Sequence, residues 1–214
     1  NYSDLNLLRS FRRHIGALYG TIVMLYKYRS LANFKNFVDI ILNNRIYAAP
    51  YYDLNDPMEG LYTYDEGAIN EEMVEKIKGE KGKLRICSLS RRADSTLMWS
   101  HYADSHRGVV LGIEVNKKYE VRPVTYEGLS YVKHATRLGS HETAKNVLTC
   151  KLEPWAYEEE ERVFVSGGQY ANVTIEEVVL GSKMDTRTKS LVKKLVAKIN
   201  ARILVSEADV QTIV

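Results

Sequence analysis

Two short segments hold most of the side chains capable of chemistry. The first, Leu97-Met-Trp-Ser-His-Tyr-Ala-Asp-Ser-His-Arg-Gly108, gathers Trp99, His101, Tyr102, Asp104, His106 and Arg107. The second, Trp155-Ala-Tyr-Glu-Glu-Glu-Glu-Arg162, sets four carboxylates in a row. In extended backbone Glu158 and Glu160 share one face, and Glu159 and Glu161 the other. Adjacent acids repel, so water or a cation must compensate them. Arg162 is a ready partner for Glu160 on the same face. Two readings fit: a charged strand edge that blocks aggregation, or carboxylates placed to stabilise developing positive charge.

Other chemistries fit less well. His101 and His106 are five residues apart, whereas two ligands on one helix face need about four. No cysteine lies near them, and no metal is expected. Ser88 or Ser90 with His101 and Asp104 has the types of a hydrolytic triad, but no GxSxG elbow surrounds either serine. Cys87 alternates with Ser88, so the two face opposite sides of a strand. Gly167-Gly168 is too short for a phosphate loop. His101 and Tyr102 read as groups that hydrogen-bond or stack on a ligand, or, with Trp99, as core anchors. Asn55-Asp-Pro-Met-Glu59 is turn chemistry first, yet Asn55, Asp56 or Glu59 could face a substrate from such a loop.

The apolar pattern predicts the elements that position these groups. Leu7, Leu8, Phe11, Ile15 and Leu18 predict a helix over 4–19, with Arg9, Arg12, Arg13 and His14 on its other face. Residues 22–28 read as a strand. Ser30 reads as the cap of an amphipathic helix carrying Phe34, Phe37, Val38, Ile41 and Leu42. A short strand from Arg45 stops at Pro50. Asn70 caps a helix through Ile77, with a turn at 79–83. Strands are expected over 84–90 and within 108–133, then a polar helix over 140–148. Further strands are expected from Arg162, over 175–180, from Arg202 and over 210–214, with a helix over 191–199. The mixture lacks the regular alternation of a doubly wound fold. It predicts α+β: a mixed, mostly antiparallel sheet flanked by helices. Residues 1–23 read as a helical extension and 24–214 as one domain.

The bulk properties narrow the partners. A length of 214 residues fits one domain with a full core. A net charge of +3 is too mild to argue for nucleic acid or membrane. No apolar run reaches the roughly 18 residues of a membrane span. Two distant cysteines predict a reduced, cytoplasmic chain. Fifteen tyrosines against four phenylalanines suit either half-buried strands with wet ring tips or a groove that stacks a nucleotide.

Several segments occur in an order that resembles a bacterial domain family of unknown function, numbered 2971. They are Tyr26-Lys-Tyr-Arg-Ser30, Asn55-Asp-Pro-Met-Glu59, Cys87-Ser-Leu-Ser90, Met98-Trp-Ser-His-Tyr-Ala103, His106-Arg-Gly108 and Trp155 to Arg162. The resemblance covers about residues 24–182. By analogy the layout is also similar to ADP-ribosyltransferase folds, with Arg29 on a first strand, Ser88-Leu-Ser90 on a central one and Glu158-x-Glu160 late. That likeness implies NAD as substrate. Arg29 would hold a phosphate or ribose, and Tyr28, Trp99 or Tyr102 would stack on nicotinamide, with Ser88, Ser90 and His101 as further contacts. Glu160 would bind the ribose and stabilise an oxocarbenium-like state, and Glu158 would activate an acceptor on a protein or nucleic acid, in a toxin or phage-defence setting. Two alternatives stand beside it: a non-catalytic module for nucleotide, nucleic acid or protein, and a hydrolase or nuclease using the carboxylates and His101.

Overall fold

The computed structural model describes residues 24–133 and 135–209. The expected helix over 4–19 and the last strand over 210–214 lie outside them. The chain runs β1 (Leu25–Arg29), α1 (Phe34–Asn43), β2 (Arg45–Tyr47), β3 (Ala49–Pro50), β4 (Tyr62–Thr63), α2 (Glu71–Lys83), β5 (Arg85–Ser90) and α3 (Thr96–Tyr102). It continues with β6 (Val109–Val115), β7 (Glu120–Pro123), β8 (Ser130–Tyr131), α4 (Ala135–Leu138) and α5 (Ser140–Val147). After a 3-10 segment, Glu153–Glu158, come β9 (Glu160–Val165), β10 (Tyr170–Leu180), α6 (Thr186–Ile199) and β11 (Leu204–Glu207).

This is an α+β fold. The main sheet has the order β11-β10-β6-β1-β5-β9-β7, antiparallel except where β11 joins β10. Strand alternation sorts its side chains into two faces. One face carries Leu25, Cys87, Leu89, Leu111 and Val163 against Phe37 and Ile41 of α1 and Val192 and Val196 of α6. The opposite face has two separate apolar patches. Tyr26, Tyr28 and Val110 pack under Met98 and Trp99 of α3. Ile86 and Phe164 pack under Ile77 of α2 and Val147 of α5. Between these patches the same face turns polar, because β5 continues Ile86-x-Ser88-x-Ser90 and β9 reads Glu160-x-Arg162-x-Phe164.

Several element boundaries differ from expectation. Asn33, not Ser30, precedes the first turn of α1, and the Ser30 hydroxyl accepts the Ala32 amide instead. The Pro50 stop is displaced by one residue, since Pro50 is itself the last residue of β3, opposite Arg85. Asn70 does cap α2, accepting the Met73 amide, but that helix runs on through Gly79 and Gly82. Its lysines lie near the negative end of the helix dipole, which offsets part of the glycine cost. β6 opens at a close approach: a Cβ on Gly108 would lie 2.2 Å from the Arg29 carbonyl oxygen. Among the described residues no helix is long and apolar enough to cross a membrane.

Candidate functional site

The sheet is incomplete at its centre. β5 pairs with β3 at Ala49↔Ile86 and with β1 only at Tyr26↔Ser90. Between those points the Lys27 ammonium donates to the Ser88 carbonyl at 2.7 Å. A cavity of about 240 Å³ opens there, on the polar stretch between the two apolar patches. β1 contributes Tyr26, Lys27 and Tyr28 to its walls, and β5 contributes Ser88 and Ser90. The loop before β4 supplies Asn55, α3 supplies Tyr102, and the acidic segment supplies Glu158 and Glu160.

The acidic run is neither fully extended nor a charged edge. Glu158 ends the 3-10 segment and Glu159 takes a left-handed φ of 42°. β9 therefore begins at Glu160, with β5 on one side and β7 on the other. The kink brings both Glu158 and Glu160 onto the cavity. Lys151 bridges them, at 2.6 Å to Glu158 Oε2 and 2.9 Å to Glu160 Oε2. Arg162 is fully buried and its five N–H donors are all engaged. They go to both oxygens of Glu59, both oxygens of Glu160 and the Leu148 carbonyl.

The two cavity carboxylates therefore differ. Burial would raise the Glu160 carboxyl, but Arg162 and Lys151 more than reverse this and hold it at about 2. Its amide also donates to the Tyr126 hydroxyl at 2.7 Å. Glu158 accepts one hydrogen bond at each oxygen, from Lys151 and from the Tyr102 hydroxyl at 2.6 Å. That hydroxyl in turn accepts from Asn55 Nδ2 at 2.6 Å. Burial, then Glu158 itself, pushes the Tyr102 phenol well above its ordinary range, so it stays a donor. At Lys27 burial lowers the pKa, and Cys87, Glu160 and Glu158 only partly restore it.

Other expected site residues lie elsewhere. Arg29 is half-buried on the face of β1 opposite Tyr28 and does not line the cavity. Trp99 is a core anchor: its indole N–H donates to the Ala93 carbonyl at 2.9 Å, and its ring meets Tyr28 edge-on at 5.5 Å. His101 is exposed, its ring centroid 6.0 Å from Tyr157. Asp56 is buried and caps its own turn through the Met58 amide. Glu59 is spent on Arg162, where burial raises its carboxyl more than the guanidinium lowers it.

No family model matches the chain, and neither a curated protein nor a solved structure matches it. Lys151, Lys27, Tyr26 and Tyr126 escaped the sequence reading. Lys27 did leave a signal, as a cation between two tyrosines in a strand that Arg29 ends. Lys151 left none, because it lies in irregular backbone after α5. Its position there is set by a bridge to Thr125, whose amide donates to the Thr149 carbonyl at 2.8 Å and whose carbonyl accepts the Lys151 amide at 2.9 Å.

Proposed function

We propose that this cavity takes the nicotinamide–ribose half of NAD and that the chain transfers ADP-ribose to a protein or nucleic-acid acceptor. One observation carries the reading. Three carboxylates, Glu59, Glu158 and Glu160, share two paired cations, Lys151 and Arg162. The cluster holds one more acid than base, and Glu158, which pairs with Lys151 alone, faces the cavity. Lys27 lines the same cavity, and its burial works against its proton. A fixed, partly desolvated negative charge favours a state in which positive charge develops on a sugar.

The ring would lie against Tyr26, Tyr28 and Tyr102, with Ser88 and Ser90 as polar contacts. As the C1′–N bond breaks, the electron pair leaves with nicotinamide, and Glu158 stabilises the positive charge left on the ribose. An acceptor nucleophile then bonds to C1′ and loses its proton to water. Glu160 takes a different role from the one the resemblance implies. With both oxygens held by Arg162 and Lys151, it positions Lys151 rather than touching ribose. Incubation with labelled NAD tests the reading. Wild type should release nicotinamide, and Glu158→Gln should slow this by roughly 10²–10³-fold. Wild type that neither binds nor consumes NAD ends the proposal.

The saturation of Glu160, and the position of Arg29 on the other face, favour a second reading. The chain would then be a module that binds a nucleotide-sized ligand without reacting with it. Binding of NAD with no nicotinamide release, unchanged in Glu158→Gln, would select that reading.

A further inference from the structure

The cavity is too small for a whole dinucleotide. Its 240 Å³ falls below the roughly 300–1,000 Å³ of clefts that enclose a drug-sized ligand. NAD is larger than most such ligands. If the nicotinamide–ribose half enters, the adenosine half must lie outside on the surface that continues the cavity wall.

That surface has a distinctive composition. A row of rings starts at Tyr102, which lines the cavity, and runs outward. His101 follows at 6.3 Å between centroids, then Tyr157 at 6.0 Å from His101, then Trp155 at 6.2 Å from Tyr157. The rings come from two separate elements, α3 and the 3-10 segment. His101 is exposed, and Tyr157 and Trp155 are half-buried. Trp155 also lies over the Lys151 ammonium at 5.2 Å, so its far side is tied to the clamp on Glu158 and Glu160. Tyr102 and Tyr157 each pack one side against the core cluster under α3. The outer part of the row leaves ring surface to water, which is the form of a base-stacking platform.

We propose that His101, Tyr157 and Trp155 form the subsite for the adenine of NAD. The proposal rests on the NAD reading and deepens it. A purine has a flat π-face that stacks on such rings without a specific hydrogen-bond pattern. Its ribose and pyrophosphate would bridge back past Tyr102 to the cavity. The same chemistry would also serve a base of a nucleic-acid acceptor, so the test separates the two sources.

Calorimetric titration of wild type, His101→Ala and Tyr157→Leu with NAD, ADP-ribose, nicotinamide mononucleotide and a short single-stranded oligonucleotide decides. NAD and ADP-ribose should each lose about tenfold in affinity in both variants. Nicotinamide mononucleotide should bind all three proteins equally, which also shows that the variants are folded. Equal losses for the mononucleotide, or unchanged NAD affinity, overturn the subsite. Losses confined to the oligonucleotide assign the row to an acceptor and also overturn it. Wild type that binds the mononucleotide as tightly as NAD removes the subsite but spares the NAD reading. Wild type that binds neither removes both.

Discussion

Arg122 and Arg162 are register partners on neighbouring strands β7 and β9, and both answer to carboxylates. Arg122 bonds Glu120, Glu142 and Asn146 at the rim, and Lys145 shares Glu120 at 2.6 Å. That group is balanced, two acids against two bases, and open to water. Arg162, one strand further in, has no exposed surface and serves Glu59 and Glu160 in a group that holds three acids and two bases. Desolvating charge is costly, and a buried ion network is weak evidence of selection for stability. An unbalanced one beside a cavity is harder still to explain as scaffold. The contrast separates a rim network that solvates a face from an inner network that holds a charge where a ligand can meet it.

The largest effect should come from removing the inner arginine. Arg162→Met strands Glu59 as a buried, unpaired acid and leaves Glu160 to Lys151 alone, which should cost about 3–5 kcal/mol in urea unfolding. Arg122→Met should cost about 1 kcal/mol or less, because water takes over for its partners. Equal costs would erase the distinction between the networks. Lys151→Met and Lys145→Met repeat the comparison one step smaller. The first should cost about 2–3 kcal/mol and abolish ligand binding, because Glu158 and Glu160 then repel across the cavity. The second should stay within about 1 kcal/mol and leave binding intact. A Lys151→Met protein that binds as wild type does would detach the clamp from the site.

These networks also show what was legible beforehand. β5 could be read because Cys87 and Leu89 alternate with Ser88 and Ser90, whereas β9 is legible only from Arg162 onward; period two puts Ser88 with Ser90, and Glu160 with Arg162, on one face. The partnership of Arg162 with Glu160 followed from the same alternation. Glu59 could not be joined to Arg162, since their link spans 103 residues and depends on where the Asn-Asp-Pro turn lands. The left-handed Glu159 hid the true course of the acidic run, because no glycine marks that turn. Trp99 and Tyr102 looked alike as aromatic residues of one helix. They lie three residues apart on one helix face and pack on the same cluster, but Trp99 is fully enclosed while Tyr102 is half-buried and reaches the cavity.

Tyr102 gives the next, smaller test. Tyr102→Phe keeps the ring and its stacking surface but removes the donor to Glu158 and the acceptor for Asn55. Stability should fall by about 1 kcal/mol. Nicotinamide release should fall further than that, because Glu158 loses the bond that orients it. Loss of stability with unchanged turnover would make the hydroxyl a loop anchor only.

The smallest effect concerns pH and separates both networks from a third buried polar group. In the inner cluster Glu160 should resist mild acid, whereas Glu59, its folded pKa raised by burial, takes up a proton first. With its folded pKa depressed to about 2, Glu160 contributes stability that is present above the ordinary glutamate value of 4.5 and is lost only as pH falls toward 2. His106 behaves oppositely. It is 6% exposed, its ring lies parallel to Trp99 at 6.0 Å, and its Nδ1 has no hydrogen-bond partner among the described residues. Burial, with Lys183 nearby, lowers its pKa below 6.5. The folded state therefore binds fewer protons than the unfolded state just below that pH, and stability should decline as pH falls from 6.5 toward 5. One group limits the slope to about 1.4 kcal/mol per pH unit. His106→Asn is the clean comparison, because asparagine tolerates the left-handed φ of 69° and does not titrate. Its stability should start lower, for want of the ring on Trp99, but stay flatter over that window. An equal slope in wild type and variant would mean that the decline comes from the carboxylates after all, and that the inner network is less insulated than its geometry implies.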